Sequence, residues 1–195
     1  MIDQIQRFLD ALDKALIPHA ANGERLDLYP LGRAALILLY GRTLAQGATK
    51  DFDVVKISHP LTALGQTALD LFGEGTDNAR RLGLYLEMVP DPLPPVPAGF
   101  QGRCQEVKNS WQIIRLWRLE VHDLAATKLK CFRAQDREDL QFLCDTGRLK
   151  PDKLREALEK AFIWDHPKDG DLGRDRAFEN LQRVQLYFQG KIATL

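Results

Sequence analysis

From Ile2 to Leu16 the apolar residues Ile2, Ile5, Phe8, Leu9, Leu12 and Leu16 recur at intervals of three and four. That spacing predicts a helix over residues 2–17 with one buried face. Pro18 and the Asn22-Gly23 pair end it, His19 falls in the loop beyond, and a strand-like run follows from Leu26 to Leu31. Gly32 then opens a helix whose stretch Ala34–Leu39 is apolar all round, as expected of a helix lying against a sheet. A loop with Thr49-Lys50 leads into a second strand, Asp51–Ile57, and Pro60 is expected in the first turn of a helix running to Leu71 or Phe72. After a Gly-Glu-Gly-Thr-Asp turn cluster, Leu84–Val89 alternates as a third strand, with Tyr85, Glu87 and Val89 on one face.

Pro90–Pro97 holds five prolines in eight residues and reads as a stiff extended connection. Cys104–Lys108 and Ile113–Val121 read as a hairpin across Lys108-Asn109-Ser110, with Trp111 and Trp117 as packing residues. Helices are expected from about Asp123, again around Asp139, from Pro151 to Phe162, and between Gly173 and Gly190, where Phe178, Leu181, Val184 and Leu186 supply the contacts. The expected fold is α/β: a mixed sheet of about five strands flanked by helices, residues 1–122 with the N-terminal packing helix, then a helical region, 123–195, packed on that core.

Composition narrows the function. The 27 basic and 27 acidic residues cancel, so any nucleic-acid contact must come from a local patch. No apolar run approaches the roughly 18 residues of a membrane span. Cys104, Cys131 and Cys144 form no C-x-x-C pair, and with no leader-like stretch they read as reduced structural thiols in the cytoplasm. Asp165, His166 and Asp169 sit in a polar loop that is far more ordinary as surface than as a metal cluster.

Two stretches carry candidate chemistry. Asp51 and Asp53 lie two residues apart on a strand, so their carboxylates project the same way and call for a counterion; Mg²⁺ is commonly held by one or two carboxylates. Alone, such a pair is equally an ordinary strand entered from a turn. Glu87 is the only acidic residue inside the third strand, where a carboxylate is costly unless partnered, or else faces solvent at a sheet edge. The second stretch is Val121–Cys144. Lys128 falls within the apolar arc set by Leu124, Ala125, Leu129, Cys131 and Phe132, and Asp139 breaks the next helix's arc between Phe142, Leu140 and Leu143. Either the Lys128 stem snorkels to water, or its ammonium meets a carboxylate or phosphate. Asp136 reads as an N-cap with Asp139 in the first turn, and the two opposite charges can meet as a helix–helix ion pair.

The order of glycine at a strand-to-helix turn, short helix, loop and Asp51-Phe52-Asp53 resembles the core motif of the nucleotidyltransferase superfamily. It is most similar to the minimal bacterial enzymes of toxin–antitoxin and abortive-infection (AbiEii-like) systems. Arg33 stands where that family has Gly or Ser. A second motif agrees: Asp123-Leu124-Ala125-Ala126-Thr127-Lys128-Leu129, then Arg133, then Gln135-Asp136-Arg137-Glu138-Asp139-Leu140, with Gln135 in place of the usual lysine. The resemblance spans residues 25–146.

It implies a polymerase beta-like fold and transfer of a nucleotidyl group from an NTP to an acceptor hydroxyl, on RNA, a tRNA end or a protein. Asp51, Asp53 and Glu87, with Asp91 as the substitute for Glu87, would hold two Mg²⁺ ions. Gly32, Arg33, Lys128 and Arg133 would contact the nucleotide's phosphates, and Asp136 and Asp139 would orient the two cations. It also implies a bacterial toxin with a cognate antitoxin protein. The second reading is a catalytically degenerate module that binds a nucleotide or a protein; Arg33 and Gln135 are the departures that favour it.

Overall fold

The computed structural model describes residues 1–43, 49–56, 61–90, 96–161 and 173–195. Its chain divides into two units, Met1–Pro90 with Gln105–Arg118, and Asp91–Cys104 with Leu119–Leu195.

The first unit is mixed α/β. Helix α1 spans Ile2–Leu16, β1 Leu26–Leu28, α2 Gly32–Tyr40, β2 Asp51–Lys56, α3 Ala63–Phe72, α4 Asp77–Leu82, β3 Tyr85–Pro90, β4 Gln105–Glu106 and β5 Ile114–Arg118. The α1 stripe is buried from Ile5 to Leu16, whereas Ile2, in the first turn, is 50% exposed. Phe8 from that stripe meets Phe52 at 5.7 Å and Phe72 edge-on at 5.6 Å. Leu26, Leu28, Phe52, Val54, Leu84, Leu86, Ile114 and Leu116 all join this core. Alternation along the strands therefore puts Asp27, Asp51, Asp53, Tyr85, Glu87, Arg115 and Trp117 on the opposite faces, and each of these is less buried than its strand neighbours in the core.

Among the described residues the strands do not form one sheet of about five. Three make a mixed sheet in the order β1-β5-β4, with β1 parallel and β4 antiparallel to β5, and β2 and β3 make a separate parallel pair. A single antiparallel bridge, Pro30 opposite Val54, is the link between them among the described residues. There the Leu31 N–H donates to the Asp53 carbonyl (2.8 Å) and the Val55 N–H to that of Tyr29 (3.0 Å). The pairing stops because Pro30 has no N–H to give and the chain turns into α2 at Gly32.

Other boundaries also differ from expectation. Helix α3 starts at Ala63, with Thr62 Oγ1 accepting from the Gly65 N–H, and Pro60 lies outside the described residues. The glycine-rich turn cluster opens a helix, α4, through the cap Thr76, whose hydroxyl accepts from the Ala79 N–H (3.2 Å). Strand β5 ends at Arg118 because the Glu120 carboxylate caps the next helix, accepting from the His122 and Asp123 N–H groups. Trp111 and Trp117 are both anchored as packing residues. Trp111 Nε1 donates to Asp10 (2.7 Å), and Trp117 Nε1 donates to Asp27 (2.8 Å) while its ring stacks on Tyr29.

Asp13 is the polar exception on the buried face of α1, at 5% exposure. Its carboxylate accepts from the backbone N–H groups of Gln112 (3.0 Å), Ile113 (2.7 Å) and Ile114 (2.9 Å), tying the start of β5 to the helix. Removing it strands these donors. Asp13→Ala is therefore expected to lower stability by about 2–3 kcal/mol in urea denaturation, and Asp13→Asn, which keeps one acceptor oxygen, by less. A loss below about 0.5 kcal/mol would show that water replaces the carboxylate at no cost.

The second unit is helical: α5 Val121–Leu129, α6 Ala134–Asp145, α7 Pro151–Ala161 and α8 Arg174–Phe188. Leu124, Ala125, Leu129, Leu140, Leu143, Leu154, Leu158, Leu181 and Val184 are buried, whereas Leu186 is exposed. Asp123, at 2% exposure, binds the Arg103 guanidinium through both oxygens, at 2.8 and 3.0 Å. Cys131 lies just past α5 and is exposed, so it is no part of that helix's buried arc. Asp91 and the Trp164–Asp171 loop lie outside the described residues. No helix among the described residues is long and apolar enough to cross a membrane.

Candidate functional site

Strand β2 sets the geometry. In its parallel register with β3, Asp51 stands opposite Tyr85 and Asp53 opposite Glu87. Two aspartates at i and i+2 and a glutamate across the ladder thus share one face. Each can offer an oxygen within 4.8 Å of the others. Both aspartates are half-buried and Glu87 is exposed, on a strand whose only partner among the described residues is β2. Among the described residues Glu87 thus stands on an edge strand, not mid-sheet, and yet beside the aspartates.

Like charges about 4 Å apart repel by about 1 kcal/mol in water and about 4 kcal/mol at an effective dielectric constant near 20. The Tyr85 phenol registers that field. Its pKa is raised by burial first, and then by the charges of Asp51, Glu87, Glu74 and Asp53.

Each aspartate has a seat. Gly32 adopts the left-handed region (φ +62°), and a Cβ there would lie 2.5 Å from Asp53 Oδ2. Glycine is thus required twice at this turn, for its dihedral and for the carboxylate that occupies the space of its missing side chain. Arg33 follows it in the first turn of α2. Asp51 is held from the chain before it: Thr49 Oγ1 donates to Asp51 Oδ1 at 2.6 Å. An all-oxygen donor set with three negative charges fits a hard divalent cation such as Mg²⁺ or Mn²⁺, and offers nothing of the nitrogen or sulfur that zinc sites favour.

In the second unit, Lys128 Nζ reaches Asp139 Oδ2 at 2.5 Å, with Lys128 4% and Asp139 0% exposed, and Asp136 Oδ1 stands 3.9 Å away. The two arc-breaking charges of α5 and α6 meet. Arg133 is exposed and occupies the N-cap position of α6, and its backbone N–H donates to Asp136 Oδ2 at 3.0 Å. Asp136 is therefore the third residue of the helix and not its N-cap, because α6 starts at Ala134, earlier than the aspartate suggested.

A family described as a nucleotidyltransferase of unknown function (DUF6036) matches residues 7–172. The chain belongs to this family. No curated protein and no solved structure matches the chain. The nucleotidyltransferase match runs through both units and includes the acidic cluster, Gly32 and the Lys128–Asp139 pair. Two residues beside that cluster, Thr49 and Tyr85, had no role assigned from the sequence, although Thr49 belongs to the loop that leads into the aspartates in the nucleotidyltransferase-like order. Thr49 carried a signal, a hydroxyl two residues before an aspartate that a local turn can bring to the carboxylate. Tyr85 carried only its shared strand face with Glu87.

Proposed function

We propose that the chain is a Mg²⁺-dependent nucleotidyltransferase that moves a nucleotidyl group from an NTP to an acceptor hydroxyl on RNA, a tRNA end or a protein. The observation that carries this reading is the convergence of Asp51, Asp53 and Glu87 on one strand face in a chain of a nucleotidyltransferase family. In the reaction the acceptor oxygen bonds to the α-phosphorus, the bond from that phosphorus to the β-phosphate oxygen breaks, pyrophosphate leaves and the hydroxyl proton passes to water. Bound Mg²⁺, two ions with NTP present, supplies charge neutralisation at the phosphates and a lowered pKa for the attacking hydroxyl.

Asp51, Asp53 and Glu87 hold those ions in this reading. Gly32 and Arg33, at the start of α2, are assigned to the triphosphate, since N–H groups and the helix dipole favour an anion there. Lys128 and Arg133 are assigned to phosphates, and Asp136 and Asp139 to their orientation, on the strength of the sequence motif alone. The same motif suggests a cytoplasmic toxin opposed by an antitoxin protein, an analogy of family and not of chemistry. A catalytically silent binding module has no need of three convergent carboxylates, which counts against that alternative.

The test is incubation with Mg²⁺, each α-³²P-labelled NTP, and total RNA or protein, beside Asp53→Ala. Label on one acceptor class, absent with the variant, is the expected result. A wild type that binds NTP and transfers nothing would favour the binding module, and label retained by Asp53→Ala would move the active site elsewhere.

A further inference from the structure

We propose that Thr49 is a positioning residue that presets Asp51 for the cation; this rests on the metal-dependent reading above. The Thr49 side chain is 7% exposed, and its hydroxyl lies 2.6 Å from Asp51 Oδ1 and 3.1 Å from the Asp51 carbonyl oxygen. A hydroxyl has one hydrogen to give, and the shorter, charged acceptor takes the larger share of it.

Two consequences follow for Asp51. First, a neutral donor on Oδ1 fixes the carboxylate's rotation and leaves Oδ2 for another partner, the usual division of labour between a metal ligand and the group behind it. Second, the bond opposes the repulsion that Asp53 and Glu87 exert on Asp51 before any cation arrives. Without it, a half-buried aspartate at the first position of β2 is free to swing toward water. The neighbouring ligands are set differently: Asp53 is fixed by the turn at Gly32, and Glu87 lies opposite it in the register of β3. Thr49 thus supplies for Asp51 what the backbone supplies for Asp53.

The direct test is Mn²⁺ binding to the full chain without nucleotide, followed by calorimetry and by the loss of the free-ion electron paramagnetic resonance signal. Thr49→Val keeps the shape and removes the donor, while Thr49→Ser keeps the donor. Outer-shell partners of metal ligands typically contribute about 10–100-fold in affinity. Thr49→Val is accordingly expected to weaken Mn²⁺ binding by about tenfold, and Thr49→Ser to stay within about twofold of wild type. The melting temperature without metal, measured alongside, reports on folding; if the valine variant is unfolded, Thr49→Ala replaces it.

Equal Mn²⁺ affinity in wild type and Thr49→Val, or a serine variant as weak as the valine one, overturns the role of Thr49 while leaving the metal site standing. A wild type that binds no Mn²⁺, indistinguishable from Asp51→Asn, overturns the metal reading and this inference with it.

Discussion

Gly32→Ala is expected to abolish Mn²⁺ binding and to cut nucleotidyl transfer by about a hundredfold or more, while the protein still folds. A new Cβ would sit 2.5 Å from Asp53 Oδ2 and 3.5 Å from its Cγ. Something must give, and the backbone on either side is tied, since Leu31 N–H donates to the Asp53 carbonyl at 2.8 Å. The short Asp53 side chain is what moves, and it leaves the face it shares with Asp51 and Glu87. Displacements of about 1 Å at a reacting centre can cost about 10²-fold in rate. The left-handed dihedral adds a stability cost of about 1–2 kcal/mol.

Gly41→Ala separates the two effects. Gly41, at the other end of α2, has φ +71°, and a Cβ added there would meet nothing within 4 Å. It should lose comparable stability and keep its Mn²⁺ affinity. If Gly32→Ala binds Mn²⁺ within about threefold of wild type, far short of the loss a displaced ligand implies, Asp53 is not seated by that glycine as a ligand.

The acidic cluster was legible because it obeys the shortest rule in the chain. Residues two apart on a strand share a face, so Asp51 and Asp53 converge wherever β2 lies, whereas Glu87 was assigned through the family resemblance, and the register of β3 sets it opposite Asp53. Lys128 and Asp139 were legible for a related reason, as charges falling on apolar arcs. The same rule applied to α1 would have singled out Asp13, which sits next to Leu12 on the buried face and holds three backbone donors.

What resisted reading was non-local or short. That the sheet breaks between β1 and β2 depends on which strands pair, and no residue in either strand encodes its partner; only Pro30 hints at where pairing ends. Helix α4 is six residues, Asp77–Leu82, too short for a period to appear, and its cap Thr76 is equally at home in a turn. Glu120 ended β5 early for the same kind of reason, as a local capping choice that outweighed continuing alternation.

Lys128→Ala is expected to cost about 3–5 kcal/mol, enough to unfold much of a marginally stable chain. The ammonium lies on Asp139 at 2.5 Å, and Asp139 is fully buried, so truncation leaves a carboxylate deprived of that ammonium with no route to water. Lys128→Met should fare little better, because it restores volume but not charge. The double variant Lys128→Met/Asp139→Leu removes both charges together, and apolar replacement of a buried ion pair is often neutral or stabilising by about 1–4 kcal/mol. Urea denaturation of wild type, Lys128→Met, Asp139→Leu and the double variant closes a double-mutant cycle, and a coupling energy near zero would mean that the pair contributes nothing as a pair. The folded double variant then addresses the phosphate assignment directly. If it binds NTP as wild type does, Lys128 serves the α5–α6 pairing alone. If it is stable yet binds NTP about tenfold or more weakly, a difference of about 1.4 kcal/mol, the ammonium acts on phosphate as well, and the ion pair with Asp139 holds it ready for that task.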